Sequence, residues 1–137
     1  MTFAFVGDGP FLPELKKKVA GGIFTGALHG QELSQAYASA DLFVFPSTTD
    51  TYGNVVIEAL ASGLPVLVSD QGGPRELLRH PADGEVISGG AGEWERAIRR
   101  LLASGGLMGA RAQRRERTVT GRGWGDAFTR FWEDGLL

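Results

Sequence analysis

Short apolar runs, rich in aromatic and β-branched residues and too brief for helices, alternate along the chain with stretches whose apolar positions recur at helical spacing. Residues 3–6 read as a strand ending at Gly7, Asp8 and Gly9, and Pro10 suits the first turn of a helix with Phe11, Leu12, Leu15 and Val19 inward and Lys16, Lys17 and Lys18 in water. Gly21 and Gly22 stop that helix, residues 23–25 form a second strand closed by Gly26, and residues 31–40 form a second helix with Leu33, Ala36 and Tyr37 at core spacing. Residues 42–45, stopped by Pro46 and Ser47, are apolar on both faces, as strands of a parallel sheet covered on both sides are. The pattern repeats through a helix over about 53–62, a stop at Gly63, a strand over 65–68, a short helix from Gly72-Gly73-Pro74 through Leu78, and a weaker edge strand over 85–87. From Gly92 the pattern is helical, with Trp94, Ala97, Ile98, Leu101 and Leu102 on one face, and two further helical stretches fall at about 107–117 and 124–134. This alternation predicts one α/β domain: a Rossmann-like, doubly wound parallel sheet of about five strands, helices on both faces, right-handed crossovers and a helical C-terminal end.

Composition narrows the function. The 137 residues carry 14 basic and 16 acidic side chains, a balance that argues against a nucleic-acid-binding or membrane-surface protein. With no cysteine and two histidines, His29 and His80, disulfides, thiolate zinc sites and cysteine nucleophiles are excluded and no spaced metal motif is expected. No apolar run reaches the ~20 residues of a spanning helix, so the expected location is the cytoplasm. The 21 glycines stand out, about twice the usual ~7%. Many fall at strand ends: Gly7 and Gly9, Gly26, Gly53, and Gly72 and Gly73. In doubly wound folds that rim is where ligands bind.

Two carboxylates, Asp50 and Glu58, are separated by seven residues, the first ahead of the third helix and the second inside it. Backbone N–H groups near Gly53, Asn54 and Val55 would lack intrahelical partners and offer a phosphate the positive end of the helix dipole. Glu58 lies among Val55, Val56, Ile57, Ala59, Leu60 and Ala61, so burial is expected, and a vicinal diol such as a ribose could satisfy it. The plainer alternative has Asp50 capping the helix region and Glu58 satisfying backbone amides or an arginine.

The run 40–47, followed by Asp50-Thr-Tyr-Gly-Asn-Val-Val-Ile-Glu58 and Ala-Leu-Ala-Ser-Gly-Leu-Pro-Val66, resembles the nucleotide-sugar-binding signature of retaining GT-B glycosyltransferases of family 4, group 1. The flanks agree: Val6-Gly-Asp-Gly-Pro10, Ile23-Phe-Thr-Gly26 and Gly72-Gly-Pro-Arg-Glu76 before Asp83-Gly84. The resemblance covers roughly residues 3–103 and implies a C-terminal lobe that binds a UDP-sugar or GDP-mannose without a metal or other cofactor, for hexose transfer to a hydroxyl acceptor. On it, Glu58 would bind the ribose and Asp50, the catalytic candidate, would face the donor sugar near the anomeric centre. Tyr52, Gly53, Asn54 and Val55 would line sugar and diphosphate, and Thr25 and Leu28 the base. Asp50 is one methylene shorter than the family's usual glutamate.

The family's first strand, its glycine-arginine-lysine segment and the N-terminal acceptor lobe are absent from these 137 residues. Cationic clamps usually contribute most to stabilising such a leaving group, so the chain alone is expected to bind weakly and transfer little. The strands at 3–6 and 42–45 are expected to close directly on one another or to pair through a homodimer. Membrane association is expected only of an intact enzyme. Arg111 to Arg117 reads as a solvated helix face and Trp94, Trp124 and Trp132 as packing residues, while Arg75 and Glu76 are as readily a surface pair as donor contacts. The competing class is a non-enzymatic nucleotide- or phosphate-binding module of flavodoxin-like architecture; a GT-B sugar-nucleotide epimerase stays open as a related enzyme.

Overall fold

The computed structural model describes residues 1–104, so the helices expected at 107–117 and 124–134, with Arg111 to Arg117, Trp124 and Trp132, lie outside the described residues. The chain divides into two compact units, residues 1–38 and the part from Ser39 onward.

In the first unit β1 (Ala4–Val6) pairs in parallel with β2 (Ile23–Gly26), their register slipping between Phe5 and Val6. Phe5 and Phe24 are register partners, and their rings stack with centroids 4.9 Å apart. The crossover α1 (Leu12–Lys18) has a proline in its first turn and leans the Lys16 ammonium over the Phe24 ring at 5.9 Å. Leu12, Leu15 and Val19 are half-buried as expected, but Phe11, expected inward, is 75% exposed because it precedes the helix as its N-cap and leaves the apolar stripe. In α2 (Gly30–Ser39) Leu33 and Ala36 are half-buried and Tyr37 is buried. Tyr37 is this unit's one buried apolar side chain. A unit this short cannot enclose much apolar surface.

The core sits in the second unit. Its strands β3 (Phe43–Phe45), β4 (Val66–Ser69) and β5 (Gly84–Ile87) run parallel in the order β3-β4-β5. Central β4 is buried along its whole length. Side chains alternate across a sheet: Leu67 joins Ile87 in a cluster with Ala97 and Ile98 of α4 (Ala91–Ala103), flanked by Leu42, Val44, Trp94 and Leu101. Val66 and Val68 point the other way and are fully buried, as are Val56, Ala59 and Leu60 of the crossover helix α3 (Asn54–Ala61), which packs on β3 and β4. Leu102, expected on the inner face of α4, is 38% exposed. Residues 74–77 form a 3-10 helix, because Pro74 opens the segment and Leu78 is already extended.

The α/β class and parallel strands match the expectation, and the described residues hold five strands, divided two and three. β1 and β3 belong to separate ladders, one in each unit.

Candidate functional site

In each unit the strands are parallel, so their C-terminal ends lie along one edge of the sheet. The first unit brings the Gly7 and Gly26 turns together there, with the Gly7 amide bonded to the Gly26 carbonyl at 2.8 Å. Thr25 is exposed and its hydroxyl donates to the carbonyls of Gly26 (2.9 Å) and Phe5 (3.3 Å), while Leu28 is half-buried. These two residues, expected at a nucleotide base, belong to a different unit from Asp50 and Glu58.

The second unit brings the loops after β3 and β4 together. Ser47 Oγ accepts the Asp50 amide at 3.3 Å, and Asp50 Oδ1 accepts the amides of Tyr52 (2.9 Å) and Gly53 (2.7 Å). A carboxylate oxygen takes two N–H groups because it carries charge and two lone pairs. Gly53, the N-cap of α3, has φ +70° and no side chain with which to cap, so Asp50 does that work from three residues upstream. Its own carbonyl then accepts the first helical bonds from Val56 (2.9 Å) and Ile57 (3.2 Å). The Gly53 amide, expected to be open to a phosphate, is therefore taken by Asp50, in keeping with the capping alternative. The Asn54 amide, at the first position of the helix, has no protein partner among the described residues.

Glu58 differs from expectation. A helix of eight residues packed on one side buries only that side: Val56, Ala59 and Leu60 face the core, whereas Asn54 and Val55 are exposed and Glu58 is half-buried. The carboxylate shares its face with Asn54 and Val55, four and three residues back. It thus stands beside the start of the helix at a partly wet position, not among apolar neighbours on all sides. Tyr52 is 50% exposed.

The loop after β4 contributes contacts the sequence did not disclose. The Gly73 amide donates to the Asp50 carbonyl at 3.2 Å, and a Cβ at Gly53 would come within 2.9 Å of Pro74 Cγ. Arg75 sends its guanidinium to the Asp70 carbonyl at 2.7 Å. Further on, buried Asp83 accepts the amides of Arg79 and His80 through Oδ2 at 3.1 Å each, and His80 Nδ1 accepts the Ala82 amide. The Asp-Gly pair ahead of an expected strand was the available signal for this turn. Among the described residues no three His, Asp or Glu side chains gather to hold a metal ion, and no helix is long and apolar enough to cross a membrane.

Residues 1–104 match the family model described as "Glycosyl transferases group 1". A GDP-mannose-dependent alpha-mannosyltransferase of Mycobacterium tuberculosis is 41% identical over 127 residues, covering 90% of this chain and 32% of that protein. Sulfoquinovosyl transferase SQD2 of Arabidopsis thaliana is 49% identical over 85 residues, 61% of this chain and 17% of that protein. The chain thus spans a third or less of the length of these curated relatives. Its fold is similar to that of Anabaena HepE, crystallised in complex with UDP, with a TM-score of 0.74 at 24% identity over 88% of this chain and 36% of that one. With a Rossmann-like α/β fold and a family model matched over three-quarters of its length, the chain belongs to the group 1 glycosyl transferases.

Proposed function

We propose that the chain is the donor-binding lobe of a retaining glycosyltransferase, taking a UDP-sugar or GDP-mannose for transfer of a hexose to a hydroxyl acceptor bound by a second, N-terminal lobe. One observation supports this most directly: the Asp50–Gly53 loop and the half-buried Glu58 flank one helix start, where Asn54 offers an amide without a protein partner among the described residues. A half-wet carboxylate can accept both hydroxyls of a ribose without the desolvation cost of a fully buried one. In this reading Glu58 binds the ribose and Tyr52, Gly53, Asn54 and Val55 line the donor sugar and diphosphate. Asp50 holds the loop with Oδ1 and turns Oδ2 to the donor sugar near the anomeric centre. Thr25 and Leu28 lie beside the base. The protein works in the cytoplasm; membrane association of the intact enzyme only, and pairing of two copies through the sheets, belong to the same proposal. The mannosyltransferase and the UDP-bound HepE lend it support in kind.

Calorimetry of the chain with UDP, GDP, ADP and FMN tests the reading. Heat of binding with UDP or GDP is expected at up to about millimolar concentration, some 4 kcal/mol of affinity. Failure of both while FMN binds overturns it in favour of a flavodoxin-like module.

A further inference from the structure

The Gly72-Gly73-Pro74 turn touches the Asp50–Gly53 loop at three successive places. At Gly72 a Cβ would lie 2.6 Å from the Asp50 carbonyl oxygen; at Gly73 it would overlap the Thr51 carbonyl oxygen; and Pro74, fully buried, fills the space beside Gly53. The Gly73 amide closes the contact by donating to the Asp50 carbonyl. Gly73 itself has φ −76° and ψ −30°, a conformation open to every L-residue. Its glycine is therefore required by the neighbouring loop's proximity and not by its own backbone. Interiors packed this closely do not yield to an added methyl without displacement. The carbonyl it meets belongs to Thr51, which lies in the loop between Asp50 and the Tyr52 and Gly53 amides of the proposed donor site.

We infer that Gly73 is a positioning residue for donor binding: the turn after β4 is a strut that fixes the Asp50–Gly53 loop, and so sets where the diphosphate and sugar sit. The inference rests on the donor-binding reading above. It also gives the glycine-rich turn after β4 a task other than direct contact with ligand. An added methyl at Gly73 displaces the loop that holds the diphosphate, whereas Thr25 and Leu28, the proposed base contacts, belong to the other unit.

The test compares Gly73→Ala with Gly92→Ala, a matched substitution in the first turn of α4 where a Cβ meets nothing within 4 Å. Amide resonances of Tyr52 and Gly53 are followed by NMR, and affinities for UDP, GDP, uridine and guanosine are measured on the same samples. In Gly73→Ala the Tyr52 and Gly53 amides should move while those of β5 and α4 stay, and diphosphate affinity should fall at least about tenfold with nucleoside affinity unchanged. Gly92→Ala should leave the Tyr52 and Gly53 amides and all four affinities unchanged. Unmoved Tyr52 and Gly53 amides, or a proportional loss for diphosphates and nucleosides, overturn the strut. Absence of UDP and GDP binding to the unsubstituted chain overturns the donor-binding reading itself, an outcome distinct from either. If Gly73→Ala does not fold, Gly73→Ser is no remedy; Pro74→Ala then removes the same strut by deletion, and the same displaced amides and selective diphosphate loss are expected.

Discussion

Alanine at position 50 removes the acceptor that organises the start of α3. Asp50 Oδ1 holds two amides, and they are not equivalent. The Tyr52 amide lies at an exposed position, so water replaces the lost bond at little cost. The Gly53 amide belongs to a buried residue, and leaving it unpaired costs about 1–3 kcal/mol. This agrees with the ~0.5–2 kcal/mol measured for lost helix caps. The charge itself adds little, because the side chain is half-exposed and screened. Asp50→Ala should therefore destabilise the second unit by about 2 kcal/mol, and Asp50→Asn, which keeps a carbonyl oxygen in place, by less than about 1 kcal/mol. With a urea slope of about 1–3 kcal/mol per molar, the alanine variant's midpoint should fall by roughly 1 M. Urea unfolding followed by far-UV circular dichroism reads both. An alanine variant as stable as the parent, or an asparagine variant as damaged as alanine, would refute the capping role.

Leu67→Ala, at the centre of the β4 cluster, should cost about 2–5 kcal/mol in urea unfolding, with a loss below about 1 kcal/mol contradicting the core assignment. Asp83→Ala strands the amides of Arg79 and His80 beside a buried position and should cost about 2 kcal/mol, whereas Asp83→Asn keeps an acceptor and should cost less. Gly73→Ala should weaken diphosphate binding while leaving nucleoside binding unchanged, read by calorimetry with UDP against uridine.

The sequence pattern locates every described strand to within a residue or two, because strands in parallel sheets are short apolar runs bounded by glycine and proline. It cannot tell which strands pair, since pairing depends on contacts between distant residues; β1 and β3 accordingly fall in separate ladders. Phe11 and Leu102 read as inward because helical periodicity is least informative at helix ends. Glu58 reads as buried because its neighbours are apolar, yet Val55 is 36% exposed: a short helix has only one side to bury. Asp50 has two readings, and the spacing cannot choose between them. The capping contact is the one seen directly: Gly53, in a left-handed conformation, turns its amide back to the Asp50 carboxylate. The Gly72-Gly73 turn is visible as a ligand rim, but its fit against Thr51 is a property of two loops that no single segment encodes.

Titration of UDP and GDP into the chain and its Glu58→Ala variant decides whether Glu58 holds the ribose of a nucleotide-sugar donor, as proposed. Each hydrogen bond to a charged group is worth about 1.5–3 kcal/mol, so the variant should bind the preferred nucleotide at least about tenfold more weakly, with circular dichroism unchanged. Equal affinity in parent and variant, with the fold intact, would remove Glu58 from the ribose site.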